Sequence, residues 1–444
     1  MHGQIEGGAA PGEAAMIGKI SRRLLWFLFL LYMFSFLDRI NIGFAALSMN
    51  RSLGLSATAF GLASTVFYVG YVACEIPSNL LLVRYGARRW LARIMVTWGI
   101  ISAGTMLVDG ARELYIARFL LGIAEAGFAP GVLLYLTTWF PPAHRGRANG
   151  LLMVAQPVAM ALGASVSGLI LQMDGIWGLQ GWRWLFLIEG LPSVVLGFVT
   201  WFYLTDRPGM ARWLSGREKT LLAERLDEEA AARPTLAGGA WRTILQRDVL
   251  LLCVAYFCLV NSLNAISTWL PQIVRQVLAA RSLAYVGFVS ALPAAVAAVV
   301  MLLWGFSSDR HNERGWHTVA ALALTAIGWV LVIIAPLPEL RLFGLVCATS
   351  GAFSAMVVFW TLPPRILFGT ARAVGLALIS SVGLMGSAVS PAVIGFLRDL
   401  TGGFTAGLLY ITALLVVSMV LVIIVNSGRG GPARVKATSD AGLA

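Results

Sequence analysis

Four ionisable side chains lie inside otherwise apolar stretches: Asp38 and Arg39 in one, Arg118 and Glu125 in another. A charge at mid-bilayer costs about 2.5–3.5 kcal/mol on insertion scales, so such residues pair with one another or mark a working site. Two carboxylates can take up and release protons. Two guanidiniums can hold an oxyanion, because the planar fork gives a carboxylate two parallel hydrogen bonds. Arg118 and Glu125 are seven residues apart, nearly two helical turns, and share a helix face. Helix rise puts Asp38 ~21 Å and Glu125 ~16 Å from the starts of their runs, with Arg39 at about the depth of Arg118 on an antiparallel neighbour. One water-filled cavity is therefore expected to hold all four. The alternative is a pair of buried salt bridges that lock helix to helix.

Charge arithmetic favours the cavity. With both acids ionised the cluster sums to zero, and a bound monoanion takes it to minus one. Protonating Asp38 or Glu125 restores neutrality, so proton and anion bind best together. Other polar groups in apolar runs are weaker candidates for the same site: Tyr71, Gln156 beside Pro157, Asn264, Ser380 and Ser381, with Trp360 as an apolar wall. Interhelical hydrogen bonding or packing is the alternative for each. Glu75 and Glu189 read as structural.

The elements that carry these residues follow from composition. Of 444 residues, 58% are hydrophobic and 12% charged, and mean hydropathy is +0.80. A soluble domain has about a quarter charged residues, so the solvent of this fold is lipid. Apolar runs long enough to cross a hydrocarbon core of about 30 Å are expected at 24–46, 59–82, 91–108, 114–139, 149–173, 183–204, 248–275, 283–305, 317–335, 341–363, 372–397 and 404–426. The fold class is thus all-α, with twelve transmembrane helices. Cys74, Cys253, Cys258 and Cys347 lie in apolar runs without metal-ligand spacing. His2, His144, His311 and His317 lie outside the spans, and no serine or cysteine has an evident base beside it. Neither an enzyme, a metal site nor a cofactor is implied, and nucleic acid is excluded as a partner despite the formal net charge of +12.

The stretch 205–247 is the one long polar segment and divides the chain into a tail (1–23), a six-helix bundle (24–204), the linker, a second bundle (248–426) and a second tail (427–444). Most of the 33 Lys and Arg fall on the side of the linker. Only Arg51, Arg112, Arg183, Arg275, Arg281, Arg341 and Arg398 fall on the other. The positive-inside rule then places both termini in the cytoplasm. A weak repeat pairs the loop carrying Arg84, Gly86, Arg88 and Arg89 with the loop carrying Asp309, Arg310 and Arg314. Both are positive-inside anchors or, read together, a cytoplasmic latch that opens and closes.

Several stretches then become specific. Leu37-Asp38-Arg39-Ile40-Asn41-Ile42-Gly43, Gly70-Tyr71 through Glu75-Ile76-Pro77-Ser78-Asn79, Arg118 through Gly122 with Glu125-Ala126-Gly127-Phe128, Trp139-Phe140-Pro141 with Arg145-Gly146-Arg147, Trp269-Leu270-Pro271-Gln272, and Trp360 through Pro363 together resemble the anion:cation symporters of the major facilitator superfamily. The likeness covers nearly the whole membrane region. It implies two pseudo-symmetric six-helix bundles with a cavity between them. It also implies proton carriers at Asp38 and Glu125 and carboxylate recognition at Arg39 and Arg118. Ser380 and Leu384 stand where that family usually has asparagines. Val83 replaces an acidic loop residue, and Gln156-Pro157 replaces the Gly-Pro of drug antiporters. The expectation is a monomer in the bacterial inner (plasma) membrane that takes up a sugar acid, dicarboxylate or aromatic acid with protons. An anion facilitator or exchanger is the alternative.

Overall fold

Lipid cannot hydrogen-bond a bare backbone, so apolar runs of this length close their N–H and C=O groups within helices. The computed structural model describes residues 11–231, 246–279, 282–367 and 370–427, and twelve helical stretches among them are long and apolar enough to cross a membrane. Expectations placed on 1–10, 232–245, 280–281, 368–369 and 428–444, including Arg233, Arg242, Arg281, Arg429, Arg434 and Lys436, lie outside the described residues.

The segment expected to be a tail is helical from Pro11: α1 (Pro11–Ile20) runs through one wider turn, Ser21–Leu25, into α2 (Trp26–Ser52). Ser56 caps α3 (Ala57–Tyr85) by accepting from the Ala59 amide at 3.1 Å. α3 stops at Gly86, whose φ of +89° a side chain would resist. α4 (Ala87–Gly104) follows. The fourth span is broken rather than continuous, into α5 (Ala111–Glu125) and α6 (Phe128–Thr137). α7 (Pro142–Ile170) and α8 (Gly181–Tyr203) complete the first bundle, and α9 (Gly216–Ala231) lies in the linker. The second bundle is α10 (Arg247–Leu278), α11 (Leu283–Arg310), α12 (Gly315–Ile334), α13 (Pro338–Phe359), α14 (Thr370–Thr401) and α15 (Thr405–Ser427).

Within the first bundle α4 packs on α8, α3 on α5 and α2 on α7; within the second, α12 packs on α13 and α15, and α10 on α14 and α15. The bundles meet through α3 against α14, α7 against α11 and α2 against α10. At the face opposite the linker, the distal face, these contacts are backbone to backbone. A Cβ on Gly61 would lie 2.2 Å from the Pro391 carbonyl oxygen, and one on Gly395 2.3 Å from that of Ala57. Towards the linker face the same stripe of α3 continues as Ile76 and Val83, which are exposed, and the stripe of α14 continues as Ala377 and Ser381, also exposed. The bundles are therefore closed together at the distal face and parted at the linker face.

Candidate functional site

Between the bundles lies a cavity of about 160 Å³, walled by Arg39, Arg118, Tyr68 and Gln156 from the first bundle and by Tyr256, Asn264, Thr268 and Ser387 from the second. α2 delivers Arg39 and α5 delivers Arg118. Arg39 Nε donates to Glu125 Oε1 at 2.5 Å, and the same oxygen accepts from Ser35 Oγ at 3.2 Å. Glu125 is 2% exposed and ends α5, where the chain turns through Ala126 and Gly127. Gly127 has φ +83°, and a Cβ there would strike Ser78 Oγ at 2.5 Å. The break is what sets Glu125 at a helix end beside the guanidinium of Arg39.

Arg118 is 3% exposed and has no ion pair among the described residues. Its Nε and Nη1 are buried without a hydrogen-bond partner, as is Nη2 of Arg39. The Phe67 ring lies 4.8 Å from the Arg118 guanidinium and the Tyr71 ring 5.0 Å from that of Arg39. Cation–π contacts hold the forks in place but satisfy none of these N–H groups. The two lining cations and the carboxylate of Glu125, which is outside the lining but paired with Arg39, sum formally to +1, with unmade donors on both arginines. That arrangement suits an oxyanion.

Asp38 corrects the expectation of one cavity for all four charges. It is 2% exposed and turned away from the cavity into the first bundle. Its Oδ2 accepts from Trp98 Nε1 at 2.9 Å and Ser193 Oγ at 2.8 Å, and its Oδ1 from Ser102 Oγ at 2.8 Å and Asn41 Nδ2 at 3.4 Å. Asp38 is not among the residues that line the cavity, whereas Arg39, the next residue along the helix, is. The expected sum of zero therefore becomes +1 for the two arginines and Glu125.

Of the weaker candidates, Gln156 and Asn264 line the cavity, and Asn264 Nδ2 donates to Tyr68 Oη at 2.5 Å. Tyr71 packs beside Arg39 without reaching the lining. Trp360 stands behind Tyr256 and donates to its hydroxyl at 3.2 Å. Ser380 and Ser381 are also outside the lining. One to two turns along α14, Leu384 and Ser387 take that place. The sequence reading missed Tyr256, Ser387 and Thr268; nothing in a single apolar run distinguishes them from packing residues.

The first of the paired loops is tied to the start of the linker and the second within its own bundle. Asp206 accepts from the Arg88 amide at 2.8 Å, and a Cβ on Gly86 would lie 2.7 Å from Asp206 Oδ1. Arg314 pairs with Asp309 at 2.6 Å and donates to Ser308 Oγ at 2.9 Å. Arg84 lies over the Tyr85 ring at 5.6 Å, while Arg89 and Arg310 are exposed.

The sequence profile of the Major Facilitator Superfamily matches residues 28–391. The chain is 43% identical over 412 residues to a putative tartrate transporter of Agrobacterium vitis, covering 93% of this chain and 91% of that one. It is 38% identical over 414 residues to a quinolone resistance transporter of Acinetobacter baumannii, covering 93% and 95%. A bacterial homologue of the human lysosomal transporter Spinster, solved inward-facing and unoccupied, superposes with a TM-score of 0.77 at 17% identity over 96% of this chain and 100% of that one. At that identity the likeness is one of fold.

Proposed function

The chain belongs to the Major Facilitator Superfamily and is a twelve-span membrane transporter, and we propose that it takes up a small organic anion together with protons. The observation that carries this reading is the pair of guanidinium residues that line a cavity between the bundles and keep buried N–H groups without partners, with one carboxylate beside them. Arg118 grips the substrate carboxylate, assisted by the free Nη2 of Arg39. Glu125 carries the proton. With Glu125 ionised the site is +1, which a monoanion neutralises without a proton; with Glu125 protonated it is +2 and matches a dicarboxylate, so proton coupling belongs to the second case. The relative named as a putative tartrate transporter supports the second case. Asp38, with both oxygens engaged by donors from α4 and α8, is a positioning residue that holds α2 so that Arg39 faces the cavity.

The bundles rock about this site. The distal contacts between α3 and α14 open as the linker-face gap closes, exposing the cavity to each side in turn. The excess of Arg and Lys on the linker face supports a cytoplasmic linker face and cytoplasmic termini in a bacterial inner membrane. The cavity lies within one chain, which works as a monomer.

The test uses the full chain in liposomes, with internal pH followed while L-tartrate or benzoate is added outside. Acidification with one of the anions, lost in Glu125→Gln while exchange of labelled anion persists, is the expected result. Anion movement with no proton movement in the wild type overturns symport and leaves a facilitator or exchanger. Unchanged anion affinity in Arg118→Gln overturns the assignment of the binding site.

A further inference from the structure

A second concentration of cationic groups lies at the distal face, where few Lys or Arg are found. There a cavity of about 690 Å³ opens at the seam of the bundles, lined by Asn50 and Arg51 from the end of α2, Gln272 and Arg275 from α10, and Arg398 and Asp399 from α14. Arg275 reaches across the seam and donates to the Leu47 carbonyl, and Arg398 donates to Gln272 Oε1. The second contact fixes which way the Gln272 amide is turned, since a guanidinium has no acceptor to offer Nε2. Gln272 is 8% exposed, and its Nε2 is buried without a partner. Arg51 is exposed and has no ion pair among the described residues.

Asp399 offsets one of these charges, and its oxygens are turned to the α3 N-terminus, accepting from the Ala57 amide at 3.0 Å and the Thr58 amide at 2.7 Å. Three arginines and one aspartate leave the mouth formally at +2. An occupant that neutralises it and accepts from the free amide N–H carries two acidic oxygen groups.

We propose that this mouth is a second anion site, distinct from the central cavity, that binds small dicarboxylates. Its parts come from both bundles: Arg51 from one, Gln272, Arg275 and Arg398 from the other. It is whole only while the distal ends are together, so an occupant stabilises the distal-closed state and slows the return to the distal-open one. The site does not depend on what the central cavity carries.

Equilibrium binding of labelled succinate to the purified full chain tests the proposal, with Arg118→Gln used to disable the central site. Expected is saturable succinate binding in Arg118→Gln, weakened about tenfold by adding either Arg51→Gln or Gln272→Leu, the loss set by one charge-assisted hydrogen bond. Adding Arg51→Lys, which keeps the charge, retains most of the binding, and acetate competes poorly. Arg51 is exposed, so its substitution leaves the fold intact. Complete loss of succinate binding in Arg118→Gln alone overturns the proposal. So does binding unaffected by Arg51→Gln and Gln272→Leu, or competition by acetate equal to that of succinate. If the proposed central site is the one in error, wild type and Arg118→Gln bind succinate equally while the distal substitutions still weaken it.

Discussion

Arg118 and Asp38 show how differently two buried charges can be held. Arg118 has a ring beneath it and, among the described residues, no acceptor for its Nε and Nη1, so these donors await a ligand; Arg118→Lys keeps the charge but removes the fork. That change is expected to weaken binding of the transported anion about tenfold, a loss visible in a binding isotherm. Asp38 is the opposite case, with donors on both oxygens from three other side chains on α4 and α8 and one on its own helix. Ser193→Ala or Ser102→Ala removes one donor from a buried carboxylate and is expected to cost about 1–3 kcal/mol. Both serines touch the same group, so the double variant should depart from additivity. Thermal unfolding of the purified protein measures each, and an unshifted midpoint in both single variants would show that the cage carries no weight. All four charges were legible in the sequence because lipid makes a charge conspicuous. The separation of Asp38 from the rest was not, because it depends on the rotation of α2 against α4 and α8, which spacing along one chain leaves open.

At the scale of elements, the break between α5 and α6 is the feature that apolar patterning hides. Hydropathy carries Ala111–Thr137 as one span, and the positive φ that interrupts it falls at Gly127, three residues before Pro130. Gly127→Ala places a Cβ both in a left-handed conformation, at roughly 1–2 kcal/mol, and against Ser78 Oγ. Thermal destabilisation is expected, along with impaired proton coupling as Glu125 shifts from Arg39; a variant with wild-type stability and coupling would count against the break as the device that sets Glu125. The linker face has a second such element in α1, which is tied to α9 by Lys19 to Glu218 at 3.1 Å and by Arg225 to Glu13 at 3.1 Å. The Ser215 amide and then the Lys19 ammonium hold Glu218 below the usual carboxylate range. A depressed pKa means that the tie is in force above the ordinary carboxylate value and is lost as pH falls through the lowered one. Protease cleavage at the linker should therefore rise in acid, modestly for an exposed pair. Glu218→Gln should show a similarly modest rise in cleavage already at neutral pH and lose most of that dependence.

At the scale of the whole molecule the question is what holds the distal ends together against an equally good arrangement with the linker-face ends together. Close glycine packing contributes, but so does a capping contact that crosses the seam. Asp399 on α14 accepts from the Ala57 and Thr58 amides and from Thr58 Oγ1 at 2.6 Å, and so caps a helix of the other bundle. Capping of this kind is worth about 0.5–2 kcal/mol, and a negative charge at a helix N-terminus adds some tenths more. The contact exists only while the distal ends touch, so its whole value biases the equilibrium between the two states rather than the stability of either bundle. Asp399→Ala should consequently move the population towards the distal-open state by a factor of about two to thirty from the cap alone, leaving each bundle folded. Spin labels at Ser52 and Thr405, exposed at the distal ends of opposite bundles, would report this as a gain of longer distances. A distribution identical to that of the wild-type background would mean that the glycine seam alone closes the distal face. The twelve spans and the division into two bundles follow from hydropathy, which each run carries by itself. Which ends are together does not, because it rests on small differences between contacts made by residues more than three hundred positions apart, such as Ala57 and Asp399.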